Sequence, residues 1–137
     1  MDTRFPVPAL SGDGMDPVER LSAYRLALEA MRKGREDVAR MRGDPALAEV
    51  AGQLLRATAS VAANIAEGYS RGSPSDRRKF LEYALGSTRE SIVWYEASEL
   101  AEKPERLDRL VSIRRLLLTM IRSARTDSAR DRQKWRR

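Results

Sequence analysis

Along the chain, apolar residues return every three or four positions and nowhere alternate steadily with polar ones. That rhythm puts them on single faces of helices and gives β-strands no foothold. Between residues 17 and 42 the stripe is Leu21, Tyr24, Leu28, Met31, Val38 and Met41, broken by Arg35 and weakened by Gly34. Between 45 and 70 it is Leu47, Val50, Leu54, Val61, Ile65 and Tyr69. The segment 74–102 is broader: at ~100° per residue, Phe80, Tyr83, Ala84 and Trp94 fall on one arc and Leu81, Leu85 and Ile92 on the next. In 104–126 the apolar arc is Leu110, Ile113, Leu116, Leu117, Met120, Ile121 and Ala124.

Prolines mark where these helices start. Pro17, Pro45, Pro74 and Pro104 each open a long proline-free stretch. Proline suits the first helical position, because its missing N–H would lack a partner there and its φ is already helical. Asp16, Asp44 and Ser73 precede three of them and can accept orphan backbone N–H groups. The pairs Asp16/Glu19 and Ser73/Asp76 approximate capping boxes. Lys103, before Pro104, cannot accept a hydrogen bond, so the fourth helix is expected to be the most weakly capped.

Connections this short make consecutive helices antiparallel neighbours. The expected fold is all-α, an up-down-up-down four-helix bundle over residues 16–126. Residues 1–15, with Pro6, Pro8, Gly12 and Gly14, read as a disordered leader, and 127–137 as a basic C-terminal tail. Met15 is a candidate alternative start. The wide apolar surface of the third helix has more than one neighbour to cover, which points to burial against a second copy of the chain.

Composition narrows the chemistry. The chain has no cysteine and no histidine. Disulfides, thiol nucleophiles, imidazole bases, zinc fingers and the commonest transition-metal sites all need a thiolate or an imidazole. No catalytic residue, metal or cofactor is therefore expected, and the chain reads as a non-enzymatic cytoplasmic protein. No apolar run approaches the ~20 residues of a membrane span, and the leader lacks the apolar core of a signal peptide.

On the other side of the second helix Gln53, Arg56, Ser60, Asn64 and Glu67 line up at spacings of three and four. An enzyme would use Glu67, with Glu90 of the third helix, as a base or metal ligand. No histidine completes a Glu-x-x-His pattern, however, and no activated nucleophile is at hand. The stripe reads better as an interhelical hydrogen-bond network, joined by Ser87 and Glu90, in which Arg56 and Glu67 are partners. Ala59, Ala62, Ala63 and Ala66, facing Gly86, Ser87 and Ser91, would let two backbones approach. A mid-helix glycine costs about 1 kcal/mol relative to alanine, so Gly86 is expected at a close contact.

The stretch Gln53 to Gly68, with its Asn64-Ile65-Ala66-Glu67-Gly68, continues through Arg71, Phe80, Leu81, Gly86, Ser87 and Glu90. In these residues the chain resembles the small bacterial four-helix bundle family of the proteins encoded in intervening sequences of large-subunit ribosomal RNA genes. That family includes the accessory variability determinants of diversity-generating retroelements. The likeness runs from about Leu21 to Arg125. It implies a homo-oligomer, pentameric in the retroelement proteins, whose basic surface binds RNA or an RNA–DNA hybrid. It further implies a reverse transcriptase partner, assisted in mutagenic copying of a template RNA.

Charge supports an anionic partner. Lysine and arginine total 26 against 20 acidic residues, a net +6. Only four of the cations are lysines, at positions 33, 79, 103 and 134, and arginine favours bidentate contacts to phosphate or carboxylate. The excess is segregated into Arg71–Lys79 (Arg71, Arg77, Arg78, Lys79), helix four (notably Arg114, Arg115, Arg122, Arg125) and the tail. These eight named residues are the expected nucleic-acid contacts. In the tail, Trp135 either stacks on a base or lies in a frayed end. With no helix-turn-helix pair, zinc knuckle or phosphate loop, binding should be driven by shape and charge. The competing reading is an oligomeric interaction scaffold, supported by the broad apolar arcs and by Glu96, Glu99 and Glu102.

Overall fold

The computed structural model describes residues 16–136; the leader, residues 1–15, lies outside them. Four helices follow in order: α1 (Ser22–Met41), α2 (Ala48–Tyr69), α3 (Pro74–Glu96) and α4 (Lys103–Trp135). Among the described residues there are no strands. Each helix packs on its successor, and α4 closes the ring against α1 along the sparest seam. The end of α1 meets the end of α3 and the start of α4, since Asp37, Tyr95 and Arg106 touch. Leu21, Tyr69, Arg77 and Asp127 come together at the other end. Helix direction therefore alternates, and the fold is the antiparallel four-helix bundle that the spacing predicts.

Helix boundaries obey the punctuation with three differences. Pro17 and Pro45 open short 3-10 turns, Pro17–Arg20 and Pro45–Leu47, ahead of the α-helices. Asp16 and Asp44 cap those turns by accepting from the N–H groups of Val18 and Ala46, both at 3.0 Å. α3 stops at Glu96 rather than 102, and just beyond it the buried Ser98 hydroxyl donates to the Tyr95 carbonyl at 2.7 Å. Such local bonding competes with helix continuation. α4 does not end at Thr126 but runs 33 residues to Trp135, so the segment read as a tail is helical as far as that residue. Its start, as expected, has no capping side chain, whereas Ser73 accepts from Asp76 N–H at the head of α3.

The core is built from Leu54, Val61 and Ile65 of α2, Leu81 and Tyr95 of α3, and Leu110, Ile113, Leu117 and Ile121 of α4. α1 contributes differently from expectation. Its buried residues are Ala23, Ala27, Ala30, Gly34 and Asp37 together with the expected Val38 and Met41, while Leu21, Tyr24 and Leu28 pack on the flank, half-buried. Small residues bring α1 close to α2. A Cβ on Gly34 would meet Thr58 Oγ1 at 2.8 Å; between α2 and α3, one on Gly68 would meet the Arg77 carbonyl at 3.2 Å. Gly86 is the opposite case and corrects its expectation: nothing lies within 4 Å of where its Cβ would be. The surplus apolar surface of α3 stays outside, with Tyr83 49% and Val93 58% exposed.

Candidate nucleic-acid interface

Alternating direction has a direct electrostatic result. The α2–α3 connection and the distal part of α4 emerge at the same end of the bundle. Arg71, Arg77, Arg78 and Lys79 thereby join Arg122 and Arg125, although about fifty positions separate the two groups in sequence. Arg125 donates to Glu82 at 3.3 Å, and Arg78 approaches the same carboxylate at 3.9 Å, which ties the two groups together. Arg71 pairs with Glu67 and lies over the Phe80 ring, 4.6 Å from its centroid. Phe80 in turn meets Tyr83 edge-on at 5.7 Å.

Along α4 the arginine row is Arg114 or Arg115, Leu118, Arg122 and Arg125, and the helical repeat carries it on through Ala129, Arg132 and Arg136. Of these only Arg114 is half-buried. Arg114 and Arg115 stand apart from the basic end, about 16 Å up the axis from Arg125 at 1.5 Å per residue. The last turns of α4, 129–135, are exposed on every side. Helices of 20 to 23 residues cannot follow one of 33, so α4 projects past the bundle with Trp135 90% exposed.

The polar stripe assembles only in part. Asn64 donates to the Ser60 carbonyl and hydroxyl, both at 2.9 Å, and the Ser87 hydroxyl donates to Ser60 Oγ at 2.9 Å, linking α2 to α3. Arg56 and Glu67 are not partners: eleven positions on one helix put them about 16 Å apart, and Glu67 pairs with Arg71 instead. Gln53 and Arg56 take no part in the Ser60 cluster. Glu90 accepts from Trp94 Nε1 at 3.1 Å. Because Ser60 faces Ser87 across antiparallel helices, Glu67 and Glu90 lie about ten residues apart along the axis, roughly 15 Å. The two carboxylates cannot share a reaction centre.

The largest polar constellation lies at the opposite end and was not anticipated. The Asp37 carboxylate, 0% exposed, accepts from Arg106 Nε at 2.8 Å, Tyr95 Oη at 2.7 Å and Arg40 Nη2 at 2.7 Å. Arg40 also grips Glu102 with two bonds of 2.9 and 3.1 Å. Burial pushes the Asp37 carboxyl up, but the hydrogen bonds from Arg106, Tyr95 and Arg40 outweigh it and hold the group below the usual carboxylate range. Burial, helped by Asp37, pushes the Tyr95 phenol up. With every lone-pair direction taken, this carboxylate is a pin joining α1, α3 and α4, not a base. The sequence signal was the small-residue line of α1, on which Asp37 follows Gly34 by three positions.

Fold and surface together define a small helical bundle with one pinned end and one basic end. The profile of the 23S rRNA-intervening sequence protein family matches residues 19–109. With two thirds of its length matched, the chain belongs to that family. A protein of unknown function from the S23 ribosomal protein family of Bacteroides thetaiotaomicron has a solved structure with the same fold. The TM-score is 0.67 at 21% identity, over 72% of this chain and 97% of that one. No curated protein matches the chain. Among the described residues, no helix is long and apolar enough to cross a membrane.

Proposed function

We propose that this protein is a non-enzymatic accessory protein that binds RNA or an RNA–DNA hybrid through its basic end. The observation that carries this is the convergence of two separate arginine clusters on one face-end of the bundle, extended by the projecting turns of α4. A surface of this kind gathers phosphates, and its field grows with each copy added in a symmetric assembly. The protein acts as a homo-oligomer, a pentamer in line with the retroelement proteins it resembles, and assists a reverse transcriptase copying template RNA.

A second reading, an interaction scaffold without a nucleic-acid role, is favoured by the exposed Tyr83 and Val93 on either side of Gly86. Binding of structured RNA and duplex DNA across a salt series, with oligomer mass recorded on the same samples, separates the two. The nucleic-acid reading requires affinity that falls steeply with salt and a shallower slope when Arg77, Arg78, Arg122 and Arg125 become glutamine. A well-formed oligomer that binds neither at low salt leaves the scaffold. A reverse transcriptase gene beside this one, with template and variable repeats, would support the retroelement role; an isolated gene would count against it.

A further inference from the structure

At the basic end α2 and α3 pack closely at Gly68, but the side chains around them do not fill the space toward α4 and the start of α1. They leave an open cleft of about 500 Å³, within the size range of small-ligand sites. Leu21, Leu81, Met120 and Ala124 make its apolar lining. Along the α4 wall Thr119, Ser123 and Asp127, spaced by four, form a polar row. Arg77 of α3 and Tyr69 of α2, the latter 42% exposed, complete the lining.

This lining suits a flat ring with N–H groups at its edge. A phosphate gains little inside the cleft, because Asp127 offsets the attraction of Arg77 there. The carboxylate and two hydroxyls instead accept from the amino and ring N–H groups of a nucleobase. Phosphates on either side of such a base meet cations at the rim. Arg71 and Arg78 lie on the α2–α3 side. Arg130 and Lys134, both exposed, continue the Thr119–Ser123–Asp127 row by steps of three and four onto the projecting turns.

We infer that this cleft takes one unpaired nucleobase of a looped or single strand, stacked on Tyr69, so that the basic end distinguishes unpaired from fully paired nucleic acid. The inference rests on the nucleic-acid reading of this end and deepens it. Bases inside a duplex are stacked and paired and cannot enter, whereas loop bases are already splayed out.

The test compares an RNA hairpin carrying an unpaired loop with a fully paired RNA duplex of equal phosphate number. Binding to the full chain is followed by fluorescence anisotropy at one salt concentration. The hairpin is expected to bind about tenfold tighter, a single stacked base's worth. Tyr69→Ala, and Ser123→Trp as an independent variant that fills the cleft, should each abolish that preference while leaving duplex affinity unchanged. The same pair made in DNA assigns the sugar of the strand. Equal affinity for hairpin and duplex, or a preference that survives both variants, overturns the cleft assignment and leaves phosphate binding standing. Failure to bind either probe removes the nucleic-acid reading itself.

Discussion

Asp37 shows how much one buried carboxylate can hold. Its removal in Asp37→Ala takes from the Arg106 guanidinium, 8% exposed, its buried counter-charge and leaves it only the half-exposed Glu105. The expected loss is about 3–5 kcal/mol, as for other broken buried pairs, read from urea unfolding. Exposed Glu67→Gln should change stability by less than about 0.5 kcal/mol. The pH dependence has a definite sign. A depressed folded value means that the Asp37 contribution is present above the unfolded value of about 3.9 and is lost as pH falls below it. Tyr95, shifted up, contributes below about pH 10 and loses that contribution as pH rises further. Stability measured at stepped pH should show a flatter acid limb for Asp37→Asn and a flatter alkaline limb for Tyr95→Phe. The small-residue line of α1 was the one trace of this in the sequence, and the aspartate itself, among Ala30, Gly34 and Met41, looks like a solvated interruption until three helices are known to converge on it.

At the scale of the helices, the four prolines and the 3–4 spacing made the bundle legible, and the α4 core line fell where that spacing put it, as did the α2 line except for Tyr69, which is exposed. α1 misled in its first three turns, where Leu21, Tyr24 and Leu28 lie on the flank while alanines face inward, although Val38 and Met41 are buried as the spacing put them. A stripe of small residues carries little hydrophobic signal. Gly34 and Gly86 then part company. Gly34→Ala puts a methyl 2.8 Å from Thr58 Oγ1, and that hydroxyl is held by the Leu54 carbonyl at 2.9 Å. It should destabilise by about 1–3 kcal/mol, with partial recovery on adding Thr58→Ala. Gly86→Ala meets nothing and should stabilise by about 0.5–1 kcal/mol through helix propensity. Thermal melts of the two single variants are expected to move in opposite directions.

For the whole molecule, the candidate interface was half legible. Its arginines were identifiable as an excess, but which of them act together depends on chain direction, which composition does not carry. Topology joins Arg71–Lys79 to the far part of α4 and leaves Arg114 and Arg115 further up the axis. It also divides labour between the ends: packing and the Asp37 pin hold one, and the other exposes charge. Ending the chain after Ser128 should therefore leave the melting temperature nearly unchanged, since residues 129–136 are all exposed and, among the described residues, the bond from Arg132 to Ser128 is their one side-chain hydrogen bond back to the retained part. RNA affinity should fall and the salt slope should become shallower, because Arg130, Arg132 and Lys134 are lost.

The projecting part of α4 also behaves as a screw thread. Each residue advances it by about 1.5 Å and turns it by about 100°, so reach and facing cannot be changed independently. One alanine inserted after Ser128 keeps every charge yet swings Arg130 and Lys134 out of line with Thr119, Ser123 and Asp127. Seven inserted residues restore the alignment about 10 Å further out. If the row works as a unit, RNA affinity across such an insertion series will rise and fall with the phase of the helix rather than decline with its length.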